Sequence, residues 1–211
     1  MQLAHKIIVA DDHPLFRTAL QQAVSQIAPD AEIVQAESLP ELQTVVEQHS
    51  DTDLILLDLN MPGAHGYSGL VYLRSHHPEI PVMVVSACED PAIMCQSIDH
   101  EASGYIAKSS SLEEISDAIG QVLKGDIYLP QKARQHQHAP DVVSMDLAEK
   151  LASLTPQQFR VLTMMSEGML NKQIAYDLEV SEATIKAHVT AILKTLGVSS
   201  RAKAVVAVRE L

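Results

Sequence analysis

Residues 53–66 read DLILLDLNMPGAHG, an apolar run that ends at Asp58 and gives way to a Pro-Gly turn. Similar short apolar runs occur elsewhere in the first half of the chain: KIIVA (6–10), PVMVV (81–85) and GYIA (104–107). Short apolar runs bounded by polar or turn residues are typical of strands that are buried on both faces of a parallel sheet. We therefore predict strands over residues 6–10, 32–36, 53–57, 81–85 and 103–107.

The segments between these runs have a helical periodicity. In residues 14–27 the apolar side chains recur at steps of three and four, as on one face of an amphipathic helix. The same pattern predicts helices over residues 39–48, 67–75, 91–99 and 112–123. Five strands alternating with five helices indicate a doubly wound α/β domain of the flavodoxin-like kind, with five parallel strands.

Charged and hydroxyl side chains stand where four of the predicted strands end: Asp11 and Asp12, Asp58, Ser86 and Lys108. Residues beyond the carboxyl ends of parallel strands converge on one crevice. Three carboxylates repel one another unless a cation lies between them, and oxygen ligands suit Mg²⁺. A lysine and a serine can hold phosphoryl oxygens. An ionised Asp58 can accept a phosphoryl group as an acyl phosphate.

Other interpretations of these residues exist. An Asp after a strand often caps a helix, and a Lys there is often simply exposed. Phosphatases of the haloacid-dehalogenase type also place a nucleophilic Asp after an apolar strand. They need a second Asp two positions later as general acid and base, and this chain has Asn60 there. We therefore expect a stable phosphorylated state and a protein that is not an enzyme.

The net charge of −12 is unevenly distributed along the chain. Residues 1–130 contain 19 acidic and 5 basic side chains, whereas residues 147–211 contain 6 and 8. Since nucleic-acid phosphates repel an acidic surface, any nucleic-acid binding is expected in the C-terminal part, with a merely solvated surface as the alternative. Two cysteines and no signal-peptide pattern indicate a reduced, cytoplasmic protein without a membrane partner.

The polar stretch 131–140 (QKARQHQHAP) lacks apolar periodicity and has the composition of a linker. We interpret its His136 and His138 as solvated side chains, because no Cys or carboxylate stands at metal-ligand spacing from them. The predicted organisation is a first domain over residues 1–128, a linker over 129–146 and a second domain over 147–211.

After the linker the sequence predicts only short helices. A capping box at 155–158 opens the first, which ends near Gly168. Further helices begin near Asn171, after Ser181 and after Ser200. The helix over 182–196 carries an apolar stripe on one face and polar or basic residues on the other, as in a helix-turn-helix. The alternative is a small helical packing module with a solvated face.

Residues 1–130 resemble the receiver domain of two-component response regulators. The resemblance rests on IIVADDHPLFR (7–17), DLILLDLNMPGAHG (53–66), PVMVVSA (81–87) and ASGYIAKSSS (102–111). It implies that Asp58 is the phosphoacceptor and that Mg²⁺ is held by Asp12, Asp58 and the Asn60 carbonyl, with Asp11 acting through water. It also implies a switch hydroxyl, a switch aromatic residue and a phosphate-binding lysine, which are Ser86, Tyr105 and Lys108.

Two residues depart from the pattern of that family. Glu101 stands where a Gly is frequent, so the end of the fourth helix is expected to be reshaped. Ser109 replaces the Pro that often follows the lysine, a change that is common among regulators with this kind of C-terminal half.

Residues 153–205 resemble the LuxR-type helix-turn-helix of NarL/FixJ-family regulators. The landmarks are LTP (154–156), NKQIA (171–175) and SEATIKAHVTAIL (181–193). The resemblance implies that the helix over 182–196 is a recognition helix for the DNA major groove. Lys186, Ala187 and Thr190 would approach base edges. Lys172, Thr184, Lys194 and Arg201 would hold phosphates or position the helix.

These patterns together predict a DNA-binding transcription regulator that is switched when a sensor histidine kinase transfers phosphoryl to Asp58 in the presence of Mg²⁺. Phosphorylation is expected to draw in Ser86 and Lys108, to turn Tyr105 inward, and to release the DNA-binding domain or promote homodimers. The alternative is an interaction protein that binds DNA constitutively and signals without phosphorylation. The responding face is expected to comprise residues 91–100, 103–107 and 112–123.

Overall fold

The computed structural model of the chain describes residues 4–136 and 142–209. Its N-terminal part is built on five strands: β1 (Lys6–Ala10), β2 (Glu32–Ala36), β3 (Leu54–Asp58), β4 (Val82–Ser86) and β5 (Gly104–Ala107). They form one sheet in the order β2-β1-β3-β4-β5, and every neighbouring pair is parallel. The predicted doubly wound sheet is confirmed. The direction of winding changes between β1 and β3, the point where such folds place their ligands.

Both ends of each predicted strand agree with the structure to within one residue. The third and fourth strands each extend one residue further than predicted, because Asp58 pairs with Val85 and Ser86 pairs with Ala107 in the last rungs of the sheet. Both side chains therefore project from hydrogen-bonded strand ends and not from loops. This gives the two residues a rigid support.

Helices cover both faces of the sheet: α1 (Pro14–Ile27), α2 (Leu39–Gln48), α3 (Ser68–His76), α4 (Pro91–Asp99) and α5 (Leu112–Leu123). One face, with α1 and α5, has a core that includes Ile7 and Leu56. The opposite face, with α2, α3 and α4, has a core that includes Ile8 and Leu57. Neighbouring strand residues thus point into opposite cores, which explains why the strands are apolar throughout.

Short polar side chains begin several of these helices. Ser38, Asp90 and Ser111 accept hydrogen bonds from the backbone N–H groups of Glu41, Ala92 and Glu114. Each such cap contributes on the order of 1 kcal/mol to stability. The caps explain why three helices begin where the sequence predicts.

The end of α4 is reshaped at Glu101, as the sequence predicts. Glu101 has a φ of 63°, in the left-handed region that favours glycine. Its backbone N–H donates to the carbonyl of Ile98, and its carboxylate lies 3.7 Å from Nε of Arg74. The helix therefore ends with a strained turn before β5.

The C-terminal part is helical: α6 (Gln131–Arg134), α7 (Val142–Ala152), α8 (Pro156–Ser166), α9 (Asn171–Asp177), α10 (Glu182–Leu196) and α11 (Arg201–Arg209). The predicted capping box of α8 is present, with Thr155 and Gln158 bonded reciprocally. Ser181 caps α10, and Gly197 ends it in the left-handed conformation. The four predicted helices are confirmed.

α6 and the first residues of α7 lie in the stretch 129–146, which the sequence predicts to be a linker. α6 follows Pro130, and its Ala133 is buried where the carbonyl accepts from the thiol of Cys95 on α4. α7 begins at Val142 and continues into the second part of the chain. One buried alanine leaves no periodicity in the sequence, so α6 could not be predicted. His138 lies outside the described residues.

The helical part packs against the sheet-containing part through α3. The rings of Tyr72 on α3 and Phe159 on α8 lie 5.0 Å apart between centroids, and both side chains are fully buried. Nε2 of His76 lies 2.9 Å from the carbonyl oxygen of Leu154. One apolar core therefore runs from the sheet into the helical part. Among the described residues, no helix combines the length and apolar character needed to cross a membrane.

Candidate functional site

The acidic residues predicted from the sequence meet at the carboxyl ends of β1 and β3. The structure brings oxygens of Asp11, Asp12 and Asp58 and a ring nitrogen of His13 within 4.8 Å of one another. Asp11 and Asp58 are buried, whereas Asp12 is partly exposed. The cluster lies at the switch point of the sheet, so its position follows from the strand order.

Lys108 joins two of these acids. Its Nζ lies 2.6 Å from Oδ2 of Asp11 and 2.8 Å from Oδ2 of Asp58. Burial lowers the pKa of Lys108, but the bonds to Asp11 and Asp58 outweigh that effect and raise the pKa above its usual value. The ring of Phe16 lies 5.0 Å from the ammonium and gives it a further favourable contact. The lysine is therefore charged and offsets part of the repulsion between the acids.

The chemistry of the donor set fits a divalent cation. Oδ2 of Asp11 and Oδ1 of Asp12 are buried, and they lie 2.6 Å from Nζ of Lys108 and 2.7 Å from Nδ1 of His13. Three carboxylates at one point repel one another, and the single ammonium of Lys108 offsets only part of that repulsion, so a divalent cation would be favourable here. The three carboxylates can hold a metal ion.

His13 was not identified as a site residue from the sequence. Its Nδ1 lies 2.7 Å from Oδ1 of Asp12, and its backbone N–H donates to Oδ1 of Asp11 over 2.7 Å. The side chain is mostly exposed at the rim. Its place directly after the two acids was the available signal. It holds the acids' turn in shape from the solvent side.

The other predicted residues of this site surround Asp58. The backbone N–H of Asn60 donates to Oδ1 of Asp58 over 3.1 Å, and Asn60 itself is exposed at the rim. Ser86 is fully buried, and its Oγ accepts from the N–H of Cys88. A cleft of 440 Å³ leads to Asp58, and the side chain of Leu15 beside it is almost entirely exposed. Asp58 is thus reachable from solvent through an opening with apolar edges.

Tyr105, the predicted switch aromatic residue, lies on β5 next to the end of β4. Its ring is already fully buried, and its hydroxyl donates to the carbonyl of Cys88 over 2.7 Å. Burial, opposed in part by a hydrogen bond with Ser86, raises the pKa of Tyr105 to about 12. The side chain therefore already lies inside the domain in this structure.

The second predicted site is a surface of the helical part. Lys186, Ala187, Thr190 and Lys194 on α10 are exposed along one side, and Thr184 at its first turn and Lys172 on α9 are exposed as well. Nζ of Lys186 lies 3.1 Å from Glu182 one turn earlier. The buried stripe of α10 consists of Ile185, Ile192 and Leu196.

Arg201 does not belong to this exposed set. Its guanidinium donates to the side chain of Asn171 over 3.0 Å and to the carbonyls of Met165 and Met169. Burial lowers the pKa of Arg201. These bonds tie α11 to the turn between α8 and α9, so the structure favours the positioning role for Arg201 over a contact with phosphates.

Comparison with known proteins identifies both parts of the chain. Residues 7–120 match the family model of the response regulator receiver domain, and residues 152–208 match that of the bacterial regulatory proteins of the luxR family. The chain belongs to the NarL/FixJ family of response regulators. This regulator is a two-component transcription regulator with a receiver domain and a LuxR-type helix-turn-helix.

Known relatives are similar over almost the whole regulator. The glycerol metabolism activator of Pseudomonas putida is 42% identical over 213 residues, which cover 98% of this chain and 96% of that protein. The nitrate/nitrite response regulator protein NarL of Escherichia coli K12 is 32% identical, with 97% and 94% covered. The structure of two RcsB dimers bound to two parallel DNAs shares the fold, with a TM-score of 0.56, 24% identity and coverage of 98% and 96%.

Proposed function

We propose that a sensor histidine kinase phosphorylates Asp58 of this regulator, with Mg²⁺ at Asp11 and Asp12, and that this reaction controls DNA binding and dimerisation. The observation that carries the proposal is the contact of one lysine, Lys108, with both Asp11 and Asp58. An ammonium in this place can contact the carboxylates before phosphorylation and a phosphoryl oxygen afterwards. An ion pair with a purely structural role would need only one of the two acids.

The transfer is a displacement at phosphorus. A carboxylate oxygen of Asp58 forms the new O–P bond while the N–P bond to the phosphohistidine of the kinase breaks, and the freed imidazole keeps the electron pair of that bond. Asp11, Asp12, Asp58 and the Asn60 carbonyl would hold Mg²⁺, which would neutralise phosphoryl charge when bound. Lys108 exchanges its contact with Asp58 for one with a phosphoryl oxygen. Ser86 supplies a hydroxyl donor.

The phosphorylation loop touches the DNA-binding domain directly, which supports a short route for the signal. Gly63, five residues beyond Asp58, has a φ of 80°, and a Cβ there would lie 3.0 Å from Cγ2 of Thr163 on α8. Two residues later, Nε2 of His65 lies 2.9 Å from Oγ of Ser166. Phosphorylation replaces the single negative charge of the Asp58 carboxylate with a phosphoryl group of about −1.5 to −2, so the start of this loop becomes more negative. We infer that the loop and α8 separate when that charge is added.

The linker offers a second route, on the face expected to respond. Nζ of Lys132 on α6 lies 2.7 Å from Glu89 in the loop after β4, and the same Glu89 accepts from the hydroxyl of Ser109. Ser109 directly follows Lys108 in the chain. A movement of the phosphate-binding lysine can therefore be passed to the linker through the contact of Ser109 with Glu89 and the contact of Glu89 with Lys132. The DNA-binding domain itself packs on α3 through Phe159 of α8, and Arg160 of α8 donates to the hydroxyl of Thr44 on α2 over 2.8 Å.

DNA binding is proposed for the exposed side of α10. Lys186, Ala187 and Thr190 would read bases, and Lys172, Thr184 and Lys194 would hold phosphates. Because these side chains are exposed while the domains are docked, the switch does not need to uncover them. We propose instead that separation of the domains lets two regulators dimerise on paired half-sites.

The domain boundaries at 1–128, 129–146 and 147–211 stay predictions. α7 crosses the second boundary, from residue 142 to 152, and packs with α3 of the receiver. We propose that α7 belongs functionally to the interface between the domains, and that the chain is divided between α6 and α7.

The test is a gel shift on a promoter that the regulator occupies in cells, with and without acetyl phosphate, for the wild type and Asp58→Asn. We expect acetyl phosphate with Mg²⁺ to tighten binding of the wild type only. Equal binding in all four samples would contradict the phosphorylation switch and support constitutive DNA binding. Loss of binding in all four would contradict the assignment of α10.

A further inference from the structure

Arg17 is a buried arginine next to the acidic site. It lies on α1, one turn after the acids, and only 7% of the residue is exposed. Its Nη1 donates to the backbone carbonyl of Asp11 over 2.7 Å, and its Nε donates to Oε1 of Gln35 over 2.9 Å. Its Nη2 pairs with the carboxylate of Glu37. One guanidinium thus joins the end of β1 to the end of β2.

The carbonyl that Arg17 holds belongs to the turn on which the acids stand. The backbone N–H of Asp11 donates to the carbonyl of Ala36 over 3.1 Å, and its Oδ1 accepts from the N–H of His13. The Asp11 carbonyl accepts from the guanidinium. The peptide before Asp11 is therefore held at its N–H by Ala36, and the peptide that joins Asp11 to Asp12 is held at its carbonyl by Arg17. Its orientation decides where the two carboxylates point.

The bond pattern at this position requires an arginine. A guanidinium carries five donors in a rigid plane, whereas a lysine ammonium is a single compact charge. Only the planar group can reach a backbone carbonyl, an amide oxygen and a carboxylate on three sides. An apolar side chain would fill the space at lower desolvation cost, so the buried charge indicates a need for orientation.

We propose that Arg17 is a positioning residue of the phosphoryl-transfer site: by holding the Asp11 carbonyl, it aligns the carboxylates of Asp11 and Asp12 for the divalent cation. This inference rests on the proposed Mg²⁺ site. Loss of a group that orients a metal ligand without contacting the metal commonly weakens metal binding about 10- to 100-fold. Arg17 itself touches neither the cation nor the phosphoryl group.

The test is Mg²⁺ titration of the full-length regulator by isothermal titration calorimetry, for the wild type and Arg17→Lys. Arg74→Lys is the matched control, because Arg74 donates to the backbone carbonyls of Pro78 and Ile80 at the opposite end of the sheet. We expect Arg17→Lys to weaken Mg²⁺ binding about tenfold or more and Arg74→Lys to leave it within about twofold. At saturating Mg²⁺, acetyl phosphate should modify the Arg17→Lys protein at a rate near that of the wild type.

The outcomes separate this inference from the proposed function. Equal Mg²⁺ affinity in Arg17→Lys and the wild type would overturn the positioning role alone, and absence of Mg²⁺ binding in the wild type would overturn the metal site. If Arg17→Lys does not fold, Glu37→Gln removes one partner of the guanidinium at an exposed position. That variant should weaken Mg²⁺ binding by a smaller factor, about two- to fivefold, and an unchanged affinity contradicts the inference.

Discussion

Nε2 of His65 lies 2.9 Å from Oγ of Ser166, although 101 residues separate them in the chain. His65 stands in the loop that begins at Asp58, and Ser166 ends the first helix of the DNA-binding domain. Ser166 also donates to the carbonyl of Thr163, which lies against Gly63 of the same loop. The phosphorylation loop and α8 therefore form one contact surface.

This contact should weaken in acid. Burial, with a smaller effect of Arg209, holds the pKa of His65 below its usual value of 6.5. The unfolded chain then binds a proton more readily than the folded one, so the contribution of His65 is complete above that value and is lost as the pH falls through the lowered pKa. Urea unfolding between about pH 7 and pH 5 should show a smaller loss of stability in His65→Gln than in the wild type. Identical profiles for His65→Gln and the wild type would show that His65 is not buried in the neutral form.

Tyr72→Ala should loosen the docking of the two domains. The ring of Tyr72 is buried between His76 of its own helix and Phe159 of α8, and burial raises its pKa to about 12. Removing the ring should lower the free energy of unfolding by on the order of 3–5 kcal/mol because of the cavity it leaves. Part of this loss falls on the interface between the domains. Small-angle scattering should show a larger radius of gyration for the unphosphorylated variant.

Ile119→Ala is the matched control for Tyr72→Ala. Ile119 on α5 is equally buried, but it belongs to the core on the opposite face of the sheet. This variant should lose stability of similar order and keep the wild-type radius. An unchanged radius in Tyr72→Ala would contradict the role of this ring in docking.

Lys108→Met should bind Mg²⁺ more tightly and lose the switch. The ammonium contacts carboxylate oxygens of Asp11 and Asp58, two of the residues that would hold the metal, so its removal increases the carboxylate repulsion that a metal would relieve. Calorimetry should show an increase in affinity of about fivefold or more, since paired charges at this distance are worth a few kcal/mol. Acetyl phosphate should no longer alter DNA binding.

Lys6→Met provides the comparison for Lys108→Met, because Lys6 pairs with Asp51 over 2.9 Å away from the site. Its Mg²⁺ affinity should equal that of the wild type. A weaker or unchanged affinity in Lys108→Met would show that the ammonium does not compete with the metal.

Lys186→Ala should lower operator affinity, whereas Arg201→Ala should lower the stability of the DNA-binding domain. If Lys186 meets a base edge, its loss costs about 1–3 kcal/mol of operator affinity while the fold is unchanged. Arg201 is bonded to Asn171 and two carbonyls, so its loss should first lower the unfolding temperature of the DNA-binding domain. Gel shifts and thermal unfolding on both variants distinguish these effects. An unchanged unfolding temperature in Arg201→Ala would contradict the positioning role and favour a contact of Arg201 with DNA phosphates.

Local patterns in the sequence predict the secondary structure apart from α6 and α7, because each of the other elements is marked by its own residues. Apolar runs placed the strands, and the capping box at Thr155 with Gln158 placed the start of α8. The position of Asp58 at a strand end followed from the same runs. α6 was missed because Ala133 gives no periodic signal.

The convergence of the acids could be predicted as well, since parallel strands bring their carboxyl ends to one edge whatever the side chains are. The sequence alone therefore determined the fold class and predicted the three carboxylates that meet at the ends of β1 and β3 and the exposed side of α10, but not the place of His13 beside them. Tertiary structure decided the rest: that Tyr105 is already inside, that Arg201 faces inward, that Arg17 holds the Asp11 carbonyl, and that α8 docks on α3. These features depend on contacts between residues that are distant in the chain. Local periodicity and spacing do not specify which distant residue a side chain contacts.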